Sequence, residues 1–195
     1  MVTTLHTRDR ILDAAELLFF RDGIAVTGVD AVAAEAGVSV VTLYKHHRSK
    51  ENLLREVLRR RFDSWVEHWD AALERAHSPE GKLLSLFDAV ATFRAAAGPT
   101  QWCCFLATAS ERPRPADPAS DPVFALLEQD TALVANRLQA LTTALGYREP
   151  EALAHGLLLI YNGILASLLR GAPHEPLPVA RDLGRALIDS SRAAS

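Results

Sequence analysis

The stretch "AAEAGVSVVTLYKHHRSKENL", from Ala33 to Leu53, decides the fold. It gathers Lys45, His46, His47, Arg48 and Lys50 directly behind a Gly-Val-Ser turn, in a chain whose formal net charge is −3. Ahead of the turn, Val29, Val32, Ala33 and Ala36 place one apolar stripe on a short helix. Gly37, which lacks a Cβ, suits the left-handed cap that ends such a helix. Ser39 then offers a side-chain oxygen to cap a second short helix from Val40. Helix, tight turn and helix in this order make a helix-turn-helix, with Val38 as the expected buried turn residue and Leu43 facing the core. Val41, Thr42, Tyr44, Lys45 and His46 are left facing outward. This mixture of small, hydroxyl, aromatic and cationic groups can meet base edges, a thymine methyl and phosphates in a major groove. Ser49 caps the next helix, whose first turn holds Lys50, so unpaired N–H donors and a cation combine as a phosphate site.

Outward from this motif the chain reads as helical throughout. Its 195 residues are 49% hydrophobic and 23% charged, the balance of a soluble globular protein. Apolar residues recur at spacings of three and four, as in Ile11, Ala15, Leu18 and in Leu54, Leu58, Trp65, Trp69, Ala72. All ten prolines stand between such runs and punctuate them. The expected class is all-α, with nine helices over about 8–21, 28–36, 40–46, 50–77, 80–97, 101–110, 122–145, 151–170 and 178–192. Residues 1–50 form the expected helix-turn-helix domain and 51–195 a larger helical domain for effector binding and dimerisation. Glu111 to Pro122 reads as a proline-rich polar loop.

Charge placement matters more than charge count. In residues 1–50, Arg8, Arg10, Arg21, Lys45, Arg48 and Lys50 face Asp9, Asp13, Glu16, Asp22, Asp30 and Glu35, so the region is formally neutral. The acids mostly precede the turn, and neighbouring phosphates would favour protonation of His46 and His47.

The segment from Gly23 to Leu58 resembles the DNA-binding region of the TetR family of bacterial transcriptional repressors. The family reads Ala-Gly-Val-Ser, two variable residues, Thr-Leu-Tyr, a basic or aromatic pair, then Ser-Lys-Glu. Here Ala36, Gly37, Val38 and Ser39, then Thr42, Leu43 and Tyr44, then Ser49, Lys50 and Glu51 stand at those spacings. The resemblance implies DNA contacts from Thr27, Ser39, Val41, Thr42, Tyr44, Lys45, His46 and Lys50. This chain departs from the pattern at His47, where the family usually has a buried Phe, at Arg48, where Pro is frequent, and at Gly28, where Ser or Thr is favoured.

In the remaining chain, Trp65 and Trp69 lie four apart with His68 alongside, Phe87, Val90 and Phe93 make a second stripe, and Trp102 and Phe105 a third. Such aromatics form either core or the walls of a small-molecule site. The family commonly carries an effector pocket in this region, and the expected lining is Trp65, His68, Trp69, Phe87, Phe93, Trp102, Cys103, Phe105, Tyr161 and Asn162. Cys103 and Cys104 are read as small buried hydrophobes rather than as a thiol sensor.

The helix from Glu151 to Arg170 is apolar on all sides, which suits a buried or paired helix better than a membrane span because His155, Asn162 and Ser167 interrupt it. The family dimerises through two such helices from each subunit. The expected homodimer interface is Leu153, Gly156, Leu157, Ile160, Gly163, Ile164, Leu183 and Leu187.

His68, His155 and His174 lack metal-ligand spacing, and no nucleophile motif, paired acid or phosphate-binding glycine loop is present, so neither metal, cofactor nor catalysis is expected. No export signal is evident at the amino terminus, and a cytoplasmic setting is expected. The expected function is a sequence-specific regulator, most simply a repressor released from a palindromic operator by a small apolar or aromatic effector. A helical thiol-dependent enzyme and a protein-binding adaptor are the rival readings.

Overall fold

The computed structural model describes residues 2–97, 103–117 and 120–192. Among them are nine helices and no strand: α1 (Val2–Arg21), α2 (Val29–Glu35), α3 (Val40–His46), α4 (Lys50–Glu74), α5 (Pro79–Ala97), α6 (Cys104–Glu111), α7 (Pro122–Ala144), α8 (Pro150–Arg170) and α9 (Pro176–Ser190). The all-α expectation holds. The ends differ where capping chemistry was misjudged: α8 and α9 open on Pro150 and Pro176, which need no N–H in a first turn. The expected helix 101–110 is shifted onto Cys103, whose Sγ accepts the Leu106 N–H at 3.5 Å as an N-cap.

The chain forms two compact units, the described residues of Met1–Asp63 with Pro99–Glu128, and of Ser64–Gly98 with Gln129–Ser195. The packing division thus falls inside α4 and α7 rather than at residue 50. The part of α4 from Lys50 to Asp63 shares a core with α1 to α3: Leu53, Val57 and Leu58 are fully buried, as are Ile11, Ala15, Val32 and Leu43. Arg60 reinforces this core by bonding Asp13 at 2.6 Å and also Glu16, while Arg61 approaches Glu16 at 3.4 Å. Helix α6 belongs to the same unit. Phe105 packs edge-on to Phe62 with ring centres 6.4 Å apart, and Arg112 bridges Glu51 at 2.7 Å and Asp121 at 2.9 Å.

The second unit is built on Trp69, Leu83, Leu86, Leu138, Leu153, Leu157 and Ile188, each almost wholly removed from water. Full burial of such side chains contributes roughly 1.5–3 kcal/mol each for the aliphatic ones. The Trp69 indole N–H donates to Ser85 Oγ at 3.1 Å, Ser85 donates onward to the Lys82 carbonyl at 2.7 Å, and Arg137 lies 4.7 Å over the Trp69 ring. Close contacts fix α9: a methyl group at Gly156 would collide with Leu187, and one at Gly184 would meet Phe87 at 2.6 Å.

Helix α8 is the one described helix long and apolar enough to cross a membrane by length and composition. It is amphipathic in packing. Leu153, Ala154, Leu157, Tyr161 and Ile164 are buried, whereas Ala152, His155, Leu159, Asn162, Gly163, Ala166 and Leu169 are exposed along the other side.

Candidate nucleic-acid interface

The turn is built as its sequence requires. Gly37 has φ +64°, and a Cβ there would also lie 2.9 Å from the Arg10 guanidinium. That guanidinium donates to the carbonyls of Ala36 and of Gly37, the latter at 3.1 Å, and so ties the end of α2 to α1. Ser39 Oγ accepts the Thr42 N–H at 3.1 Å and lies 2.8 Å from the Thr42 hydroxyl, which starts α3. Leu43 is 0% exposed and pins α3 to the core, while Val38 is half-buried rather than buried. Truncating Leu43 to Ala at such a site costs roughly 2–5 kcal/mol.

With Leu43 inward, the rest of α3 faces water. Val41 is 66% and Tyr44 45% exposed, Lys45 is exposed, and Thr42 and His46 are half-buried. Ser49 caps α4 by accepting the Asn52 N–H at 3.0 Å. The outcome is one exposed helix face bearing an aliphatic group, a phenol and a cation, next to a capped helix start.

Two expected contacts, and one histidine expected to gain charge beside phosphates, are placed differently. Thr27 is 5% exposed and its hydroxyl donates to the Gly23 carbonyl at 2.7 Å, so its side chain staples the loop before α2 instead of facing outward. Lys50 Nζ turns back to the Ala25 carbonyl at 3.3 Å and lies 6.0 Å over the Phe19 ring, so its charge serves the unit's own frame. His47 is fully buried, with Nδ1 3.2 Å from Glu56 Oε2, which also accepts from Arg8 at 2.7 Å. Burial pushes the His47 imidazole below its usual range, with Arg8 acting in the same direction and Glu56 against it. It therefore stands as a neutral ring between α3 and α4, not as an added phosphate cation.

The sign of that shift gives a test. A histidine protonated less readily in the folded state lends stability above its unfolded pKa, near 6.5, that is lost as pH falls through its folded value. His47→Phe should therefore keep the fold, and its gain in thermal midpoint over the natural chain should widen from pH 7.5 to pH 5.5. A gain independent of pH would show that the ring titrates alike in the folded and unfolded chains, and a gain that narrows toward pH 5.5 that it is charged in the folded one.

The bacterial regulatory proteins, tetR family, match residues 11–57, the region just described. The HTH-type transcriptional repressor KstR2 of Mycolicibacterium smegmatis is 38% identical over 88 residues, 45% of this chain and 42% of that protein. An HTH-type transcriptional regulator of Staphylococcus aureus is 31% identical over 73 residues, 37% of this chain and 40% of its own length. The matched stretch thus spans about two fifths of these curated relatives. Over the whole chain the fold agrees with a TetR-family transcriptional regulator from Streptomyces coelicolor, at TM-score 0.85 and 21% identity, covering 96% of this chain and 97% of that one. A TetR transcriptional regulator from Chloroflexus aurantiacus follows at TM-score 0.78 and 20% identity, with 98% of each chain covered. The helix-turn-helix region belongs to the tetR family of bacterial regulatory proteins, and the whole chain has the fold of TetR-family regulators.

The expected pocket residues divide. Trp65, Trp69, Phe93, Tyr161 and His68 come together in the second unit: Trp65 stacks on Tyr161 with ring centres 5.9 Å apart, meets Phe93 edge-on at 5.6 Å and tilts against Trp69 at 5.7 Å, while His68 meets Phe93 at 5.5 Å. Phe87 lies instead beneath Gly184 of α9, Asn162 is exposed on the outer side of α8, and Cys103 and Phe105 belong to the first unit. Trp102 lies outside the described residues.

The expected dimer residues divide as well. Leu153, Leu157 and Ile164 are at most 1% exposed within their own protomer, and Gly156 is occupied by Leu187, which with Ile160 packs against the core. Gly163 and Leu183 keep the outward placement expected of them. Sequence reading missed Leu159, Leu169 and Val179, which are 73%, 46% and 49% exposed. For Leu159 and Leu169 the spacing with His155 and Asn162 on α8 was the available signal, since it marks a mixed outer face opposite the buried one.

Proposed function

We propose that the chain is a DNA-binding transcriptional repressor that acts in the cytoplasm, occupies a palindromic operator as a homodimer and is released by a small apolar or aromatic effector. The observation that carries this reading is the outward face of α3, where Val41, Tyr44 and Lys45 are exposed while Leu43 is locked into the core. Two such helices related by a two-fold axis would enter successive major grooves about 34–36 Å apart. Thr42, Tyr44 and His46 are assigned to base edges and sugars, and Lys45 with the capped start of α4 to phosphates. The name of the Mycolicibacterium relative, a transcriptional repressor, supports repression over activation.

Release is assigned to α4, a continuous helix of 25 residues that begins behind the reading helix and carries Trp65 and Trp69. An effector seated against Trp65 must favour the released form by about 1–3 kcal/mol to act as an inducer.

Selection from random DNA duplexes tests the reading directly, and the expected product is a palindrome; recovery of no preferred sequence would refute it. Tyr44→Ala should weaken the selected site about tenfold or more while leaving oligomeric state unchanged. Lys45→Ala should weaken all duplexes alike and flatten the slope of log affinity against log salt by about one unit. A gel-shift series over salt concentration separates the two effects.

A further inference from the structure

The two neighbouring tryptophans of α4 are treated differently by the fold. Trp69 is fully buried and its N–H is satisfied by Ser85, whose own hydroxyl is in turn satisfied by the Lys82 carbonyl. Trp65 is 3% exposed, yet its Nε1 is buried and has no hydrogen-bond partner among the described residues. Buried donors are almost always paired, because an orphan keeps the whole cost of its lost water. The unpaired indole sits in the middle of four rings, stacked on Tyr161 and flanked by Phe93 and Trp69, with His68 beyond Phe93. Phe93 and His68 are the half-buried members of this group, the side on which it meets solvent.

The remaining polar atoms narrow the chemistry. His68 Nδ1 lies 2.8 Å from the Ser64 carbonyl, an acceptor only, so Nδ1 donates there. Trp69 is the ring that carries a cation, Arg137, and that guanidinium is already neutralised by Asp70 at 2.7 Å. The cluster around Trp65 therefore offers π faces and one unsatisfied N–H donor.

Resting on the reading that the second unit holds the effector, we propose that the ligand is a flat aromatic molecule whose carbonyl or ether oxygen accepts the Trp65 Nε1 hydrogen bond. Its ring lies against Phe93 and His68. A pure hydrocarbon is disfavoured because it would leave the indole orphaned.

A matched pair of probes tests this on the full chain: 2-acetylnaphthalene, which carries an acceptor, and 2-ethylnaphthalene, which has nearly the same shape without one. Isothermal titration should show the acetyl compound binding about tenfold more tightly, as expected for one buried hydrogen bond. In Trp65→Phe, which keeps a ring and removes the donor, the two should bind alike. Equal affinities in the natural chain, a preference that survives in Trp65→Phe, or binding of neither compound would each overturn the proposal. If Trp65→Phe fails to fold, the 15N-labelled natural chain supplies the second measurement. One of its three indole N–H resonances should move downfield with the acetyl compound and not with the ethyl one, and three unmoved resonances would overturn the assignment. Duplex selection separates this result from the regulatory reading: a chain that prefers the acetyl probe but no DNA sequence loses the second and keeps the first.

Discussion

Leu159→Asp should convert the protein to monomers while each protomer stays folded. Seven large hydrophobic side chains are strongly exposed among the described residues: Val26, Val41, Tyr44, Leu159, Leu169, Val179 and Leu183. Two belong to the reading helix and four to α8 and α9, so the uncovered apolar surface is concentrated where DNA and a second copy are proposed to bind. Leu159, at 73% exposed, makes little contact with its own chain, and replacing it costs the protomer only the helix preference of Asp, roughly half a kcal/mol. In a two-fold interface each substitution appears twice, and each buries an unpaired carboxylate. The loss should amount to several kcal/mol, enough to abolish dimers at micromolar concentration and to lower operator affinity by two or more orders of magnitude. Sedimentation velocity with far-ultraviolet dichroism checks both halves. Leu157→Asp is the contrast, because Leu157 is 0% exposed and its replacement should unfold the protomer itself. A Leu159→Asp protein that remains dimeric would remove the outer stripe of α8 from the interface.

What was legible in the sequence follows from how local its cause is. The turn of Gly37 and the cap of Ser39 depend on φ, on a hydroxyl and on residues within four positions, and both are found as read. The inward and outward faces of α3 follow once Leu43 is placed. The interface failed for the opposite reason: α8 has apolar residues on both sides, and only the seat of Leu187 against Gly156 decides which side belongs to the protomer's own core. Phe105 was likewise grouped with Trp65 because both are aromatic residues on short-period stripes, whereas its position is set by Phe62, 43 residues away in sequence. His47 illustrates a half-legible case. Its departure from an aromatic pattern was visible, but whether it kept the buried seat or joined the basic run required the packing of α4 against α3.

Asp130→Asn should stabilise the second unit at neutral and alkaline pH and do nothing at pH 4. Asp130 occupies the apolar stripe of α7 formed with Leu126, Val134 and Leu138, and is 9% exposed. Burial alone raises its carboxyl pKa to about 7, and no cation offsets it. Below pH 4 the group is protonated in both folded and unfolded chains, so it carries no penalty. Between about pH 4 and pH 7 the unfolded chain releases the proton and the folded one holds it, so stability falls as pH rises, at 1.36 kcal/mol per unit at most. Above pH 7 the penalty is constant, about 2–4 kcal/mol once partial hydration of the site is allowed for. Asparagine has nearly the same shape and no charge to desolvate, so the variant should gain that amount at pH 8, a rise of roughly 5–15 °C in thermal midpoint for a chain of this size. Melting curves of both proteins at pH 3.5, 6 and 8 should therefore start together and separate progressively. Parallel curves, or a variant less stable at pH 8, would mean that the carboxylate is ionised and bonded in the native state, and that α7 holds its stripe by a polar contact.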